Sequence, residues 1–264
     1  LPINSASIAP QMKNTDSPSR KLIGIAEIIP ESATGSYDVR EVIEEIVDEG
    51  ILTELKKDWA TNIVTSLATI NGHTVGIIAN QPQFLAGTLD IAASQKGARF
   101  VTFCDAFNLP LITFVDTPGF QPGKDLEWRG MIRHGAQLAF AYANATVPRI
   151  CVTLRKSYGG AYIVMDSKNM GNDLAIAWPS AEIAVMGAKG AIEILHRNAT
   201  GSERQNLESD YEERLLNPYM AAERGSVDMI IDPEDTRTEI SAGLDFLLSK
   251  REPLQKRIHS NTPL

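Results

Sequence analysis

The sequence predicts an α/β fold, in which helices cover a mainly parallel sheet. Continuous apolar runs of strand length occur four times, at residues 74–80, 111–116, 149–154 and 181–187. Longer amphipathic stretches separate these runs, notably residues 90–107 and 124–145. Strands that alternate with helices are typical of parallel sheets, because a parallel connection must be long enough to cross the sheet.

The first predicted helix lies in the stretch YDVREVIEEIVDEG. Its apolar positions follow the three-and-four spacing of one helical face, at Val39, Val42, Ile43 and Ile46. Gly50 then favours a helix end. Residues 1–38 carry Ser, Pro, Asn and Thr without periodicity, which predicts a linker or an N-terminal arm. We therefore expect an arm at 1–38 and a domain at 39–264.

Apolar side chains also define the middle helices. In residues 90–107 they share one face at Phe100, Phe103, Cys104 and Phe107. In residues 124–145 the same spacing places Trp128, Met131, Ile132, Gly135, Leu138, Ala139 and Tyr142 together. His73 follows Asn-Gly, which predicts a hairpin turn. Charged helices are expected around residues 203–225 and 235–250.

The composition excludes several classes of function. The net charge of -8 and the pI near 5.1 argue against a nucleic acid or an anionic membrane as the main partner. No run approaches the ~20 apolar residues of a membrane span, and the first residues lack the charged-then-apolar order of a secretory signal. Cys104 and Cys151 lie in apolar runs without metal-ligand spacing, so we expect reduced thiols in a cytoplasmic protein and no metal site.

The turn in LITFVDTPGF, residues 111–120, is also found in GTPases. A nucleotide switch additionally needs a glycine-rich loop that ends in Gly-Lys-Ser or Gly-Lys-Thr, between a strand and a helix. The stretch GAKGAIEI lacks both this spacing and the hydroxyl that would bind magnesium. The sequence therefore excludes a GTPase, and the turn is interpreted as a rigid exit from a strand.

A stronger signal for chemistry is RKSYGGAYIVMDSKNMG, residues 155–171, which directly follows an apolar strand. Two glycines permit a sharp turn, and the helix that opens after them has N–H groups without intrahelical partners. We assign Gly160 and Ala161 as a pair of donors aimed at a developing oxyanion. The alternative is a tight turn that packs helix against sheet and binds nothing.

No Ser/His/Asp arrangement accompanies these donors. His73 lies in the predicted hairpin, His134 beside Arg133 on a helix, and His259 in the tail. An oxyanion site without an obvious protein base suits chemistry in which a bound cofactor or substrate moves the proton itself.

Several long motifs of the chain resemble those of a known family. The stretch GTLDIAASQKGARFVTFCDAFNLPLITFVDTPGFQPGKDLEWRGMIRHGAQLAFAYANATVPRICVTLRKSYGGAYIVM is similar to the carboxyltransferase β subunit of biotin-dependent acyl-CoA carboxylases. The resemblance continues through LAIAWPSAEIAVMGAKGA, YEERLLNPYMAAERGSVDMIIDP and the closing HSNTPL, and covers roughly residues 38–264.

The resemblance implies a crotonase-like fold, a spiral of ββα units with flanking helices. In the family two such domains lie in tandem, and this chain is similar to the second, preceded by the linker. The first domain binds most of the acyl-CoA, the second receives carboxybiotin, and the active site forms between domains of two subunits of a hexamer. A separate subunit carries the biotin, consistent with the lack of a Met-Lys-Met signature here.

The resemblance also implies roles for individual residues. Gly160 and Ala161 are expected to hold the biotin ureido oxygen, while a second donor pair belongs to the missing first domain. Biotin's own nitrogen removes the α-proton, so no metal and no protein base are expected. Ile163 matches the position that helps to set acyl length, where isoleucine is similar to members that accept acetyl-CoA as well as propionyl-CoA. The expected pocket residues are Gly159, Tyr162, Ile163, Val185, Met186 and Gly187.

Two alternatives remain open from the sequence. One is a biotin-dependent acyl-CoA decarboxylase of the same superfamily, which runs the transfer backwards. The other is a non-catalytic assembly fragment whose acidic helices and arm serve packing alone. Without its N-terminal half, the chain is expected to be nearly inactive.

Overall fold

The computed structural model describes residues 1–2, 7–32, 34–252 and 262–263. These described residues contain one eight-stranded sheet. Its strands are β1 (Leu52–Glu54), β2 (Ile63–Ile70), β3 (His73–Asn80), β4 (Leu111–Thr117), β5 (Arg149–Tyr158), β6 (Leu174–Ala177), β7 (Glu182–Ala184) and β8 (Met229–Ile230). They are ordered β1-β2-β3-β4-β5-β6-β8, with β7 paired to the end of β5.

The sheet is parallel from β3 to β8 and antiparallel at its β1–β2–β3 edge. The predicted hairpin is present, since Ile70 pairs with His73 around a two-residue turn. Both turn residues have positive φ, 50° at Asn71 and 75° at Gly72, as the Asn-Gly hairpin requires. The mainly parallel sheet expected from the alternating pattern is therefore confirmed.

Nine helices flank the sheet within the described part of the chain. They are α1 (Val39–Ile46), α2 (Ile91–Ala106), α3 (Lys124–Trp128), α4 (Met131–Asn144), α5 (Gly159–Val164), α6 (Ala188–Leu195), α7 (Gly201–Leu215), α8 (Pro218–Glu223) and α9 (Thr236–Leu247). None of these described helices has both the length and the apolar character needed to cross a bilayer.

Two of the predicted helices are divided. The stretch 124–145 breaks between α3 and α4 because Gly130 adopts a left-handed conformation, with φ of 86°. The stretch 203–225 breaks between α7 and α8, where Pro218 opens the second helix. The Asn217 side chain accepts a hydrogen bond from the Met220 N–H and so caps α8.

Each face of the sheet is covered by its own apolar core. On one face α1 and α9 pack against strand residues such as Ile77, Ile112 and Val152. On the other face α2 and α4 contribute Phe100 and Leu138, among others. This double coverage accounts for the apolar runs of β3, β4 and β5, because both faces of these strands exclude water.

Part of the predicted arm packs on the first of these cores. Leu22, Ile25, Ile29 and Tyr37 are all buried there. The separation of an arm from a domain at residue 38 stays a prediction. His259 and most of the HSNTPL stretch lie outside the described residues.

Candidate functional site

The candidate site is the corner where β5 leaves the sheet and α5 begins. β5 is longer than the predicted run 149–154 and carries the chain to Tyr158 at the carboxyl edge. Gly159 follows with φ of 60°, a conformation that costs other L-residues about 1–2 kcal/mol. A Cβ at this position would lie 3.1 Å from the Val185 carbonyl oxygen. Glycine is therefore needed both for the turn and for the close approach.

The corner presents two N–H groups without protein acceptors. Gly160 is exposed and Ala161 is buried, and both belong to the first turn of α5. Within the described residues neither N–H donates a hydrogen bond to the protein. Such groups lie at the positive end of a helix, so the corner can stabilise an oxyanion. The assignment of this role to Gly160 and Ala161 stays a prediction.

The second group of predicted pocket residues lies beside this corner. β7 pairs in parallel with the end of β5, so Tyr158 lies opposite Ala184. Both strands therefore end together, and Val185 reaches Gly159. Gly187, which precedes α6, approaches the Tyr158 ring, since a Cβ there would lie 3.3 Å from Tyr158 Cε2. The Tyr158 hydroxyl donates a hydrogen bond to the Glu182 carboxylate.

Two aliphatic side chains of the predicted pocket are exposed. Ile163 is 41% exposed and Val185 is 75% exposed, although both are aliphatic. Met186 and Tyr162 are half-buried, and burial raises the pKa of Tyr162 to about 12. Of the eight predicted site residues, the structure therefore brings the Gly-Gly corner and the stretch Val185–Gly187 next to each other, through the contacts of Val185 with Gly159 and of Gly187 with Tyr158.

Phe120 ends the turn Asp116–Phe120, which the family resemblance places beneath the active-site face. Its ring lies under the corner, where a Cβ on Gly160 would meet Phe120 Cε2 at 3.4 Å. A Cβ on Gly135 of α4 would come within 2.9 Å of the same ring. The Asp-Thr-Pro-Gly-Phe turn therefore supports the corner from below.

Two buried ion pairs flank the corner. Before it, Arg155 Nε donates to Asp116 Oδ2 at 3.1 Å. Burial raises the pKa of Asp116, and the Arg155 charge opposes this effect. After it, Arg149 Nη1 donates to Asp166 Oδ1 at 2.5 Å, and burial raises the pKa of Asp166 to about 6. Neither pair was predicted, because a charged residue within an apolar run does not reveal its partner.

Two of the described histidines, His73 and His134, make side-chain contacts away from the corner. His134 Nδ1 lies 3.1 Å from Gln137 Oε1 and 3.3 Å from Gln95 Nε2, between α4 and α2. His73 Nε2 lies 3.0 Å from Asp245 Oδ1. Across the described ranges, no group of three or more His, Cys, Asp or Glu side chains could hold a metal ion.

Two cavities, of about 720 and 830 Å³, lie away from the corner. The first is lined by Pro110 and Pro148, which precede β4 and β5, so it lies at the opposite edge of the sheet. The second is lined by Phe103 and Phe140, between α2 and α4.

A match to a protein-family model shows which family the chain belongs to. The model of the carboxyl transferase domain matches residues 1–262. The chain belongs to this carboxyl transferase family. The resemblance inferred from the Gly-Gly corner and the neighbouring motifs is thereby confirmed.

Individual relatives cover the whole chain. A propionyl-CoA carboxylase carboxyltransferase subunit from Haloferax mediterranei is 48% identical over 270 residues, which are 100% of this chain and 52% of that protein. The methylmalonyl-CoA decarboxylase subunit alpha of Veillonella parvula is 46% identical and is covered to the same 52%. The chain thus spans about half the length of these relatives.

A solved structure supports the fold. The transcarboxylase 12S hexamer, with methylmalonyl-coenzyme A and methylmalonic acid bound, superposes with a TM-score of 0.96 at 46% identity. The alignment covers 100% of this chain and 52% of that chain. The crotonase-like α/β fold expected for carboxyl transferases is therefore confirmed.

Proposed function

We propose that the chain forms the C-terminal half-site of a biotin-dependent acyl-CoA carboxyltransferase. In this reaction a carboxyl group moves from carboxybiotin to the α-carbon of a short-chain acyl-CoA. The observation that carries the proposal is the pair of N–H groups at Gly160 and Ala161, which have no protein acceptor among the described residues of this member of the carboxyl transferase family.

The corner fits the ureido ring of biotin. A urea oxygen is an acceptor for two converging N–H donors, and the apolar side chains of Ile163 and Val185 suit the bicyclic body. When bound, carboxybiotin supplies the carboxyl group and then a basic nitrogen for the α-proton. The role of Gly160 and Ala161 is to stabilise the negative charge that develops on the ureido oxygen.

The exposure of the corner also favours an active site that is completed by a second protein surface. Gly160, Ile163 and Val185 remain exposed, whereas a finished active site excludes water. We infer that an N-terminal half supplies the donors for the thioester oxygen and most of the acyl-CoA contacts. We also infer a hexamer, as in transcarboxylase 12S, and a partner that carries biotin and biotin carboxylase.

We propose propionyl-CoA as the preferred acyl group, with acetyl-CoA as a second substrate. The Haloferax mediterranei relative is a propionyl-CoA carboxylase subunit. Ile163, at the rim of the corner, is the residue type that the family resemblance associates with acceptance of acetyl-CoA.

A decarboxylase is the second candidate, because the Veillonella parvula relative is a methylmalonyl-CoA decarboxylase subunit at similar identity. The same N–H pair would serve transfer in the reverse direction, from a carboxylated CoA thioester to biotin. The corner geometry is equal in the two directions, so partner subunits distinguish these functions.

The test uses the complete enzyme, that is, this chain with its N-terminal half and the biotin-bearing subunit. We expect ATP- and bicarbonate-dependent carboxylation of propionyl-CoA, with a lower kcat/KM for acetyl-CoA. Free biotinyl-lysine should accept the carboxyl group in the reverse direction. Reverse transfer without net carboxylation would favour the decarboxylase. A folded complex inactive in both directions would favour a non-catalytic assembly fragment and refute the proposal.

A further inference from the structure

Arg155 lies on β5, five residues before Gly160, and its side chain is 6% exposed. Besides the Asp116 carboxylate, its guanidinium donates to three backbone carbonyls of the N-terminal segment. These are the carbonyls of Pro30 at 3.4 Å, Ser32 at 3.2 Å and Gly35 at 2.9 Å. The guanidinium also lies 5.2 Å from the centre of the Tyr37 ring. One side chain therefore joins Pro30, Ser32, Gly35 and Tyr37 to the strand that leads into the corner.

Asp116 connects the same side chain to the neighbouring strand β4. Its second carboxylate oxygen accepts the Lys156 N–H at 3.1 Å, and its own N–H donates to Asn80 Oδ1 at 3.3 Å. The pairing of β4 with β5 shifts register at this point, between Val115 and Thr117. The carboxylate thus satisfies a β5 amide where the regular ladder is interrupted. Such irregularities change the direction in which a strand leaves a sheet.

We propose that Arg155 is a positioning residue, which sets the direction of the Gly160 and Ala161 N–H groups. It does so by holding the end of β5 between the shifted β4 strand and the carbonyls of Pro30, Ser32 and Gly35. This inference rests on the function proposed above. A buried ion pair is weak evidence for stability, since desolvation offsets much of its attraction. The fixed, directional hydrogen bonds of the Arg155 guanidinium instead favour a role in positioning the end of β5.

The chain contains a matched control for this interaction. Arg237 on α9 is fully buried, pairs with Asp48 at 2.6 Å, and donates to the carbonyls of Ile46 at 2.6 Å and Ser17 at 2.9 Å. It therefore has the same kind of partners as Arg155, including a carbonyl of the N-terminal segment. Its location on α9, at the face of the sheet covered by α1, separates it from the corner.

The experiment compares Arg155→Lys with Arg237→Lys in the complete enzyme. Lysine keeps the charge but loses the planar fork, so we expect both variants to be destabilised to a similar extent. Arg155→Lys should lower kcat by about 10- to 100-fold with KM for acyl-CoA nearly unchanged, because a displaced donor pair weakens only transition-state contacts. Arg237→Lys should leave kcat within about twofold at temperatures below both melting points.

A second variant and a second readout keep the test decisive. Gly35→Ala perturbs the carbonyls that Arg155 binds without changing β5 itself, because the added Cβ would lie 2.5 Å from Pro30 Cβ. It should lower kcat in the same way if Arg155→Lys does not fold. Hydrogen exchange of the peptide 156–165 should be faster in Arg155→Lys and Gly35→Ala than in Arg237→Lys. This measurement does not depend on enzymatic activity.

The outcomes separate the two claims. An inactive parent enzyme would overturn the proposed function. An active parent whose kcat survives Arg155→Lys or Gly35→Ala, or falls equally with Arg237→Lys, overturns the positioning role alone. Equal exchange in the 156–165 peptide of all variants also overturns it.

Discussion

Replacement of Gly160 by proline removes one of the two proposed donors with little change to the helix. Gly160 is the second residue of α5, so its N–H has no intrahelical partner. Proline is accepted in the first turn of a helix for this reason. The added ring would contact Phe120, whose Cε2 lies 3.4 Å from a Cβ at this position, an ordinary contact distance.

The expected effect follows from the loss of one oxyanion donor. Such a loss typically costs about 2.7–4 kcal/mol in the barrier, or about 10²–10³ in kcat. Gly160→Ala is the matched control, because it adds the same first carbon but keeps the N–H. We expect it to change kcat by no more than about threefold, since no donor is lost. The difference between the two variants isolates the hydrogen bond.

The assay is transfer of the carboxyl group between a carboxylated CoA thioester and biotinyl-lysine, measured in the complete enzyme at saturating substrate. Thermal melting of both variants verifies that the proline is tolerated. A Gly160→Pro enzyme that melts like Gly160→Ala and keeps more than about a third of the parental kcat would refute the donor assignment.

Three further predictions concern the surroundings of the corner. Gly159→Ala should lower activity and should destabilise the protein more than Gly201→Ala does. Both positions have φ near 60°, but only Gly159 of the two faces a carbonyl oxygen. Urea denaturation of the two variants measures the difference in their free energies of unfolding. Asp166 has its pKa raised to about 6 by burial, so its contribution to stability is present near pH 4 and is lost as the pH rises through 6. Asp166→Asn should therefore flatten unfolding free energies measured between pH 4 and 7. Lys96→Met should lower the free energy of unfolding by about 3 kcal/mol, because the Lys96 ammonium donates to three carbonyls at 2.7–3.3 Å. A loss well below about 1 kcal/mol in denaturant titrations would contradict this expectation.

The strands show how far sequence patterns extend. The runs at 74–80, 111–116 and 149–154 became β3, β4 and β5, because strands buried on both faces are apolar throughout. β2 was not among the predicted runs, since Thr65 and Ser66 interrupt its apolar character. Both side chains are nevertheless buried, and Thr65 Oγ1 donates to the Leu55 carbonyl at 3.0 Å. A buried polar residue with a partner cannot be distinguished from an exposed one by composition.

The helix boundaries depended on single residues. The sequence pattern predicted one helix over 124–145, and the break at Gly130 followed from a backbone conformation that glycine permits but does not require. Similarly, Pro218 is compatible with a helix start as well as with a loop, and the Asn217 cap decided for a start. Local propensity allowed both outcomes, and packing selected one of them.

The candidate site itself was predictable to the extent that it is local. A strand followed by Gly-Gly and a helix start places free N–H groups at one corner whatever the rest of the chain does, since steric freedom and helix ends are properties of a few adjacent residues. The motif order around it was enough to suggest the family.

The contacts between distant parts of the chain were determined by the tertiary structure alone. The pairing of β7 with the end of β5 brings Val185 to Gly159, and the register shift of β4 lets Asp116 reach Arg155 across 39 residues of sequence. These contacts arise from strand order and register, which are set by the summed packing of both cores. No short stretch of sequence contains that information, because each partner is defined only once the whole sheet has formed.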